Sequence, residues 1–365
     1  MMIFQRTTRC PLGERVGRSR PGLCESKQAA TGPDRFWSCK PFEINKFDVS
    51  VRPESPRWPV VSGWPKTNIT RDADFPIRLG AQVIDLHLHT TASDGRCSPE
   101  ELVQRAKAAG VNTMAVTDHD TMAAVPAARA AALTAGLEFV PGIEITSVSA
   151  GRDVHVLGYF VDPETAGLSD LIADQRRRRV ARAQEIGERL ARMGATIDVQ
   201  ELIATTARQS GKAIARPQIA QALITAGHVG SVAEAFDRYL GDTCGAYVPH
   251  TGAQPEEVIR LVRAGGGVAS LAHPGYTKQD AIIPRLAEAG LTAIEAYHSS
   301  HDAEMTARYL AVATSLDLAV TGGSDYHGDG TRRSEWFGRT HLPAAAYLRF
   351  LERAGRTRAV ATARV

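Results

Sequence analysis

The chain has 365 residues, 43% hydrophobic and 23% charged, and its 43 Lys and Arg against 40 Asp and Glu leave a formal charge of +3. That apolar content supports a full core and excludes a wholly disordered chain, while the near-balance of charge excludes a nucleic-acid coat or a protein held to membranes by charge. No run of about 18 apolar residues occurs, so no transmembrane helix is expected. The basic start MMIFQRTTRCPLGERVGRSR lacks the apolar stretch of a secretory signal, and cysteines 10, 24, 39, 97 and 244 form no CxxC pair. Neither a disulfide framework nor a cysteine zinc site is implied, and a reducing, cytoplasmic setting is the expectation.

Residues 1–80 carry nine of the 19 prolines and none of the eleven histidines, and they show no sustained periodicity. Proline at that density excludes long helices and central strands, so this stretch is expected to be a disordered N-terminal extension. From residue 81 the character changes. Val83 to His89 alternates apolar and polar, which places Asp85, His87 and His89 on one face of a strand. Ser98-Pro99-Glu100-Glu101 then opens a helix, with Ser98 as N-cap, Pro99 in the first turn, Glu101 completing a capping box and Gly110 ending it. A strand over 113–117 and a helix over 121–135 repeat the unit. Strands are predicted at 138–140, 143–147, 154–160, 268–272, 293–297 and 318–321, with helices at 281–289 and 303–315. Such alternation predicts parallel strands joined by crossovers, an α/β sheet or barrel over 81–345, followed by a C-terminal helix and tail over 346–365. The stretch 164–250 is mostly helical (173–193, 214–226, 231–240) and reads as an insertion or cap.

Polar residues cluster where the strands end: His87 and His89, Asp118-His119-Asp120, Glu144, His155, His273, and Asp325 with His327. Asp94 lies in the loop after the first strand. In a parallel barrel all these ends share one rim, so residues 240 positions apart in sequence converge there. Imidazoles and carboxylates are the ligand set of Zn, Mn or Fe. Glu144, between Ile143 and Ile145, is a carboxylate in an apolar strand and needs a partner or a metal. Asp118 and Asp120 also suit a cap on the helix near residue 121, and one of them is expected to serve there. Arg179 and Arg182 share a helix face, which reads either as an anion site or as a solvated surface. His298 and His301 sit at another strand end, and His301 reads as substrate-facing or as a surface residue. His228, His250 and His341 carry no motif and are read as structural.

The set IDLHLHTTASDG, AVTDHD, GIEITS, DVHVLGYF, LAHPG and GGSDYHG resembles the PHP (polymerase and histidinol phosphatase) superfamily of metal-dependent phosphoesterases, over roughly residues 82–345. Their order and spacing look most like its small stand-alone branch, which hydrolyses nucleoside 3′,5′-bisphosphates and trims short RNAs from the 5′ end. The resemblance implies a distorted (β/α)₇ TIM-like barrel. It also implies nine metal ligands: His87, His89, Asp94, His119, Glu144, His155, His273, Asp325 and His327, with Glu144 bridging. Nine ligands exceed the needs of one ion, so two or three divalent cations are implied, Mn first, Fe or Zn as alternatives. Water with its pKa lowered by the metal would then be the nucleophile, with Asp120 a candidate for substrate contact or proton transfer. Arg216, before Pro217, matches an arginine of the family and would hold a second phosphate, although Gln218 stands where the family usually has His; Arg179 and Arg182, on their shared helix face, are the other candidate substrate-binding residues. The partner expected is a small nucleotide or short RNA, with no membrane and no stable DNA complex.

Three rival readings are weaker. A histidinol-phosphatase-like or other small phosphomonoesterase would share the metal site. An amidohydrolase barrel would need a bridging lysine, and Lys107, Lys212 and Lys278, the lysines after residue 80, follow no strand suitably. A non-catalytic, metal-stabilised binding module would have lost ligands.

Overall fold

The computed structural model describes residues 82–208, 212–331 and 333–362, so the expected disorder of residues 1–80 lies outside it. Seven strands form one sheet in chain order: β1 (Val83–Asp85), β2 (Val111–Val116), β3 (Glu138–Ser149), β4 (Arg152–Tyr159), β5 (Val268–Leu271), β6 (Ala293–His298) and β7 (Ala319–Gly323). The sheet curls back on itself. Leu86 N–H donates to Gly322 O at 3.0 Å, Asp325 N–H to His87 O at 2.9 Å, and Leu88 bridges Tyr326 in parallel. The result is a nearly closed, distorted seven-stranded barrel with helices outside, as the motifs imply.

The distortion corrects one expectation. β1, β2 and β3 run parallel, as do β5, β6 and β7, but β4 is antiparallel to both neighbours. The two strands predicted at 138–140 and 143–147 are one twelve-residue strand. It returns through Ala150-Gly151, whose φ angles of 50° and 74° suit the two-residue turn that matches strand twist. No crossover helix is possible across two residues, so β4 must run backwards. His155 therefore lies in the body of β4, opposite Thr146, and not at a strand-to-helix junction.

Around the barrel lie α1 (Pro99–Ala108), α2 (Val125–Ala135), α7 (Pro255–Ala264), α8 (Pro274–Thr277), α9 (Ile283–Glu288), α10 (Ala303–Ser315) and α11 (Ala344–Thr362). α1 carries the predicted capping box: Glu101 N–H donates to Ser98 Oγ at 3.1 Å and Ser98 N–H to Glu101 Oε2 at 3.0 Å. Gly110 follows with φ +82°, a left-handed stop. α2 starts four residues later than expected, at Val125, and its N-cap Ala124 offers no side chain. Neither Asp118 nor Asp120 caps it, because both are drawn into the rim described below.

The insertion comprises α3 (Leu168–Arg192), α4 (Val199–Arg208), α5 (Arg216–Thr225) and α6 (Val232–Ala235), which runs into a π turn over Phe236–Leu240. It has its own core, including Ile186, Leu190, Ile219, Leu223 and Leu240. The buried stripe of α3 shows how it is seated: Leu168, Leu171 and Ile172 join the barrel core, and Ile186 and Leu190 join the insertion core. Between them, before Ala183 of the insertion core, lie Gln175, Arg179 and Arg182, buried and polar, where the helix crosses the barrel rim. Among the described residues no helix is long and apolar enough to cross a membrane.

Candidate active site

Glu144 on β3 is buried at the centre of the rim. Its Oε1 lies 2.8 Å from His155 Nδ1 and 2.9 Å from His273 Nε2. Its Oε2 lies 3.2 Å from His87 Nε2, 3.2 Å from His89 Nε2 and 3.3 Å from His119 Nδ1. Asp325 closes one side, with Oδ1 3.1 Å from His89 Nε2 and 3.4 Å from His327 Nδ1. Asp94 closes the other, 3.2 Å from His327 Nε2 and 3.8 Å from His119 Nε2. All nine sequence-predicted residues thus meet in one cage. It contains overlapping groups able to hold an ion, among them His87/His89/Glu144, His119/Glu144/His155, His87/His273/Asp325 and His89/Asp94/His119/His327.

The donor chemistry of the cage fits metal ions. His89 Nδ1 and Nε2, His119 Nδ1, His155 Nε2, His273 Nδ1 and Asp325 Oδ1 are buried without a hydrogen-bond partner, a costly condition unless a cation meets the lone pairs. Burial pushes His119 down to about 3 and His273 down to about 4, so both are neutral near pH 7, the form that ligates. Burial opposes ionisation of Glu144 too, but His119, His155 and His87 outweigh it and hold the carboxyl well below its ordinary range. Burial likewise disfavours charge on His89, yet Asp325 and Glu144 outweigh it and raise that imidazole to about 10.

The backbone contributes as well. Asp120, His273 and Asp325 have φ of 53°, 27° and 54°, a left-handed conformation that non-glycine residues hold only where the surroundings enforce it. For His273 the enforcing group is visible: its N–H donates to Glu295 Oε2 at 2.8 Å. The other oxygen, Oε1, is 2.9 Å from His87 Nδ1. Glu295 is fully buried, and although burial favours its neutral acid, His87 and His298 outweigh this and hold it down to about 2. An ionised acceptor there keeps the His87 proton on Nδ1 and turns Nε2 towards Glu144. Sequence reading missed Glu295, although it carries the signal that exposed Glu144: a carboxylate in an apolar strand, here Ala-Ile-Glu-Ala. His298 is buried, its Nε2 3.3 Å from Asp325 Oδ2, and Arg333 pairs with that same oxygen. No local motif announces either.

The predicted substrate residues divide. Arg179 is buried and holds Asp120 by Nε at 2.6 Å and Thr146 Oγ1 by Nη2 at 2.8 Å. Asp120 also accepts from Thr146 N–H at 2.9 Å, so both its oxygens are occupied and it ties β3 to α3. Asp118 accepts from Thr90 N–H and from the Thr90 and Ser93 hydroxyls, fixing the loop before Asp94. Arg182 donates to Val248 O at 2.7 Å and to His250 at 2.9 Å, and its Nη2 is buried with no partner. Arg216 lies on the insertion's own wall, bonded to Leu240 O and Asp242. Gln218 reaches Ser93 O, bracing the insertion against the Asp94 loop. His301 accepts from Gly275 N–H at 3.2 Å and its Nδ1 lies 3.0 Å from Ala296 O, so both ring nitrogens are engaged by backbone. Beside the cage a cleft of about 260 Å³ is lined by Asp120, Thr146, Arg178, Arg179, Arg182 and His250. His250, read from sequence as structural, lines it with Nδ1 2.7 Å from Asp153 Oδ2.

A barrel rim that buries so many imidazoles around shared carboxylates is the apparatus of metal-dependent hydrolysis, and the likeness to known proteins gives the ester. The chain belongs to the PHP domain family, whose model matches residues 85–244. It is 35% identical over 257 residues to the 5′-3′ exoribonuclease Rnm of Escherichia coli, a match spanning 68% of this chain and 86% of that protein. The 3′,5′-nucleoside bisphosphate phosphatase of Chromobacterium violaceum is 32% identical over 68% of this chain and 88% of its own length. The solved structure of a candidate metal-dependent phosphoesterase from Bifidobacterium adolescentis aligns with a TM-score of 0.69 at 32% identity, covering 75% of this chain and 97% of that one. The chain is accordingly a metal-dependent phosphoesterase.

Proposed function

We propose that this enzyme removes the 3′-phosphate of nucleoside 3′,5′-bisphosphates and trims short RNAs from the 5′ end, using two or three Mn²⁺ ions. The observation that carries the reading is the arginine-lined cleft adjoining the cage. A substrate with a second anionic group needs such a place, and a small monoester does not. The relatives in Escherichia coli and Chromobacterium violaceum, named for RNA and bisphosphate substrates, support the same choice.

In this reading His87, His89, Asp94, His119, Glu144, His155, His273, Asp325 and His327 hold the ions. When bound, divalent cations bring water near neutrality for attack and neutralise the phosphoryl oxygens. The residues of the chain do the remainder. Glu144 presents both oxygens to opposite halves of the cage, and Glu295 keeps His87 in the ligating tautomer. Arg182, through its unpartnered Nη2, binds the second phosphate, and Arg179 with Asp120 forms the cleft wall, so Asp120 receives no proton-transfer role. Arg216 and His301, engaged elsewhere, likewise leave the substrate-binding set. The cytoplasm is the compartment favoured by the cysteine pattern, where a nucleotide or short RNA is the partner.

The test is phosphate release from adenosine 3′,5′-bisphosphate by metal-stripped protein before and after Mn²⁺ addition, with histidinol phosphate and a 5′-phosphorylated RNA pentamer in parallel. Mn-dependent turnover of the bisphosphate well above histidinol phosphate is expected. Preference for histidinol phosphate would keep the metal cage and overturn the substrate.

A further inference from the structure

The barrel order places two different surfaces at the edge of the cage. The arginine cleft lies over the β3–β4 sector, through Asp120, Thr146 and α3. The other sector, beyond β5 and β7, presents an exposed tyrosine. Tyr276 on α8 is 56% exposed, with its ring edge-on to His273 at a centroid distance of 5.9 Å. The Arg333 guanidinium lies 5.9 Å from the Tyr276 ring centroid while pairing with Asp325. The turn bearing Tyr276 is held rigidly: His301 accepts from Gly275 N–H, and a Cβ at Gly275 would lie 2.8 Å from the His301 ring. An exposed tyrosine on a braced turn, beside a cation and one residue contact from the cage, has no packing task.

Reaction chemistry supplies a task. In a nucleoside 3′,5′-bisphosphate, water attacks the 3′-phosphorus, the P–O3′ bond breaks, O3′ takes up a proton, and inorganic phosphate departs. In 5′-end trimming of RNA the same P–O3′ bond breaks and O3′ takes up a proton, but the phosphate stays on the second nucleotide as its new 5′ end. On the substrate reading above, the 5′-phosphate occupies the arginine cleft in both cases. Only RNA extends past the scissile phosphorus to the other side. We propose that Tyr276, with Arg333 beside it, is the platform on which the base of that second nucleotide stacks. The inference rests on the substrate reading above and adds to it a subsite specific for single-stranded RNA. Aromatic stacking suits a trimming enzyme because every base offers a π face, so the platform tolerates any sequence.

The experiment compares wild type, Tyr276→Ala and Tyr276→Phe with added Mn²⁺, on adenosine 3′,5′-bisphosphate and on a 5′-phosphorylated RNA pentamer. Loss of one stacked base raises KM for the pentamer about tenfold in Tyr276→Ala, with the bisphosphate KM unchanged and Tyr276→Phe close to wild type. A pentamer carrying 2-aminopurine at its second position loses fluorescence on binding to wild type and not to Tyr276→Ala. Equal effects on both substrates, no effect on either, or no pentamer cleavage by a wild type that hydrolyses the bisphosphate would overturn the platform. Failure of the wild type on the bisphosphate itself would instead strike the substrate reading beneath it.

Discussion

A carboxylate buried among imidazoles persists only if each of its oxygens has a donor or a cation. Glu144 and Glu295 satisfy that condition differently, and the difference sets their roles. Glu144 faces five ring nitrogens, two of them, His89 Nε2 and His119 Nδ1, without a hydrogen-bond partner, whereas Glu295 faces two fixed donors, His87 Nδ1 and His273 N–H. Replacing Glu295 by Gln keeps the shape but offers one acceptor where two donors converge. Metal affinity is expected to fall by about 10–100-fold, the usual cost of disturbing a carboxylate behind a ligating histidine. Equilibrium dialysis with metal analysis measures this directly, and unchanged affinity would remove Glu295 from the positioning role. That glutamate was legible in principle, since it repeats the apolar-flanked pattern of Glu144. His298 and Arg333 were not, because their pairing with Asp325 depends on how the loop after β7 folds back over the end of β6.

At the scale of elements, the first loop and helix α3 decide how the cage is completed. The loop that carries Asp94 doubles back tightly: Gly95 N–H donates to Thr90 O at 2.9 Å, and a Cβ at Gly95 would lie 2.5 Å from the backbone carbonyl of His89. Backbone cannot yield as a side chain can, so Gly95→Ala must displace Asp94. Loss of one bound ion per chain with the fold retained is the expected result, from metal stoichiometry alongside circular dichroism. Full stoichiometry in Gly95→Ala would show that the loop adapts. Helix α3 reads from sequence as an amphipathic segment, and the polar interruption of its buried stripe is visible there. Which barrel residues meet Gln175, Arg179 and Arg182 is not, because the answer depends on where the insertion sits on the rim.

For the whole molecule the cage couples metal, protons and stability. In the metal-free protein His119 and His273 stand at about 3 and about 4, below the ordinary 6.5. The unfolded chain then binds more protons than the fold between those values, so this contribution is lost as pH falls below 6.5. His89, at about 10, and His87, raised well above its ordinary value against the cost of burial by Glu295, Asp325 and Glu144, act in the opposite sense. Their stabilisation is complete below 6.5 and fades as pH rises towards about 10. A cation must displace those protons, so its stabilisation grows with pH. Thermal melts should show Tm falling between about pH 7 and 9 after chelation, and not falling with Mn²⁺ present. Parallel curves with and without metal would mean that the cage protons and the ions do not compete.

What the chain determined by itself was the chemistry. Imidazole and carboxylate in short motifs, each next to an apolar strand, imply a metal site, because strand boundaries and ligand types are written locally, and the resemblance of those motifs to the PHP superfamily implies phosphoester hydrolysis. The Ser98–Glu101 capping box and the 303–315 helix were legible for the same reason. Tertiary structure alone decided that β4 runs backwards, placing His155 in a strand interior, since a two-residue turn at Ala150-Gly151 outranks the βα alternation around it. It also decided that Arg179 serves Asp120, that His301 braces a turn, and that Tyr276 stands at the edge of the cage. Each of these depends on a partner more than twenty residues away, and no local pattern encodes such a partner.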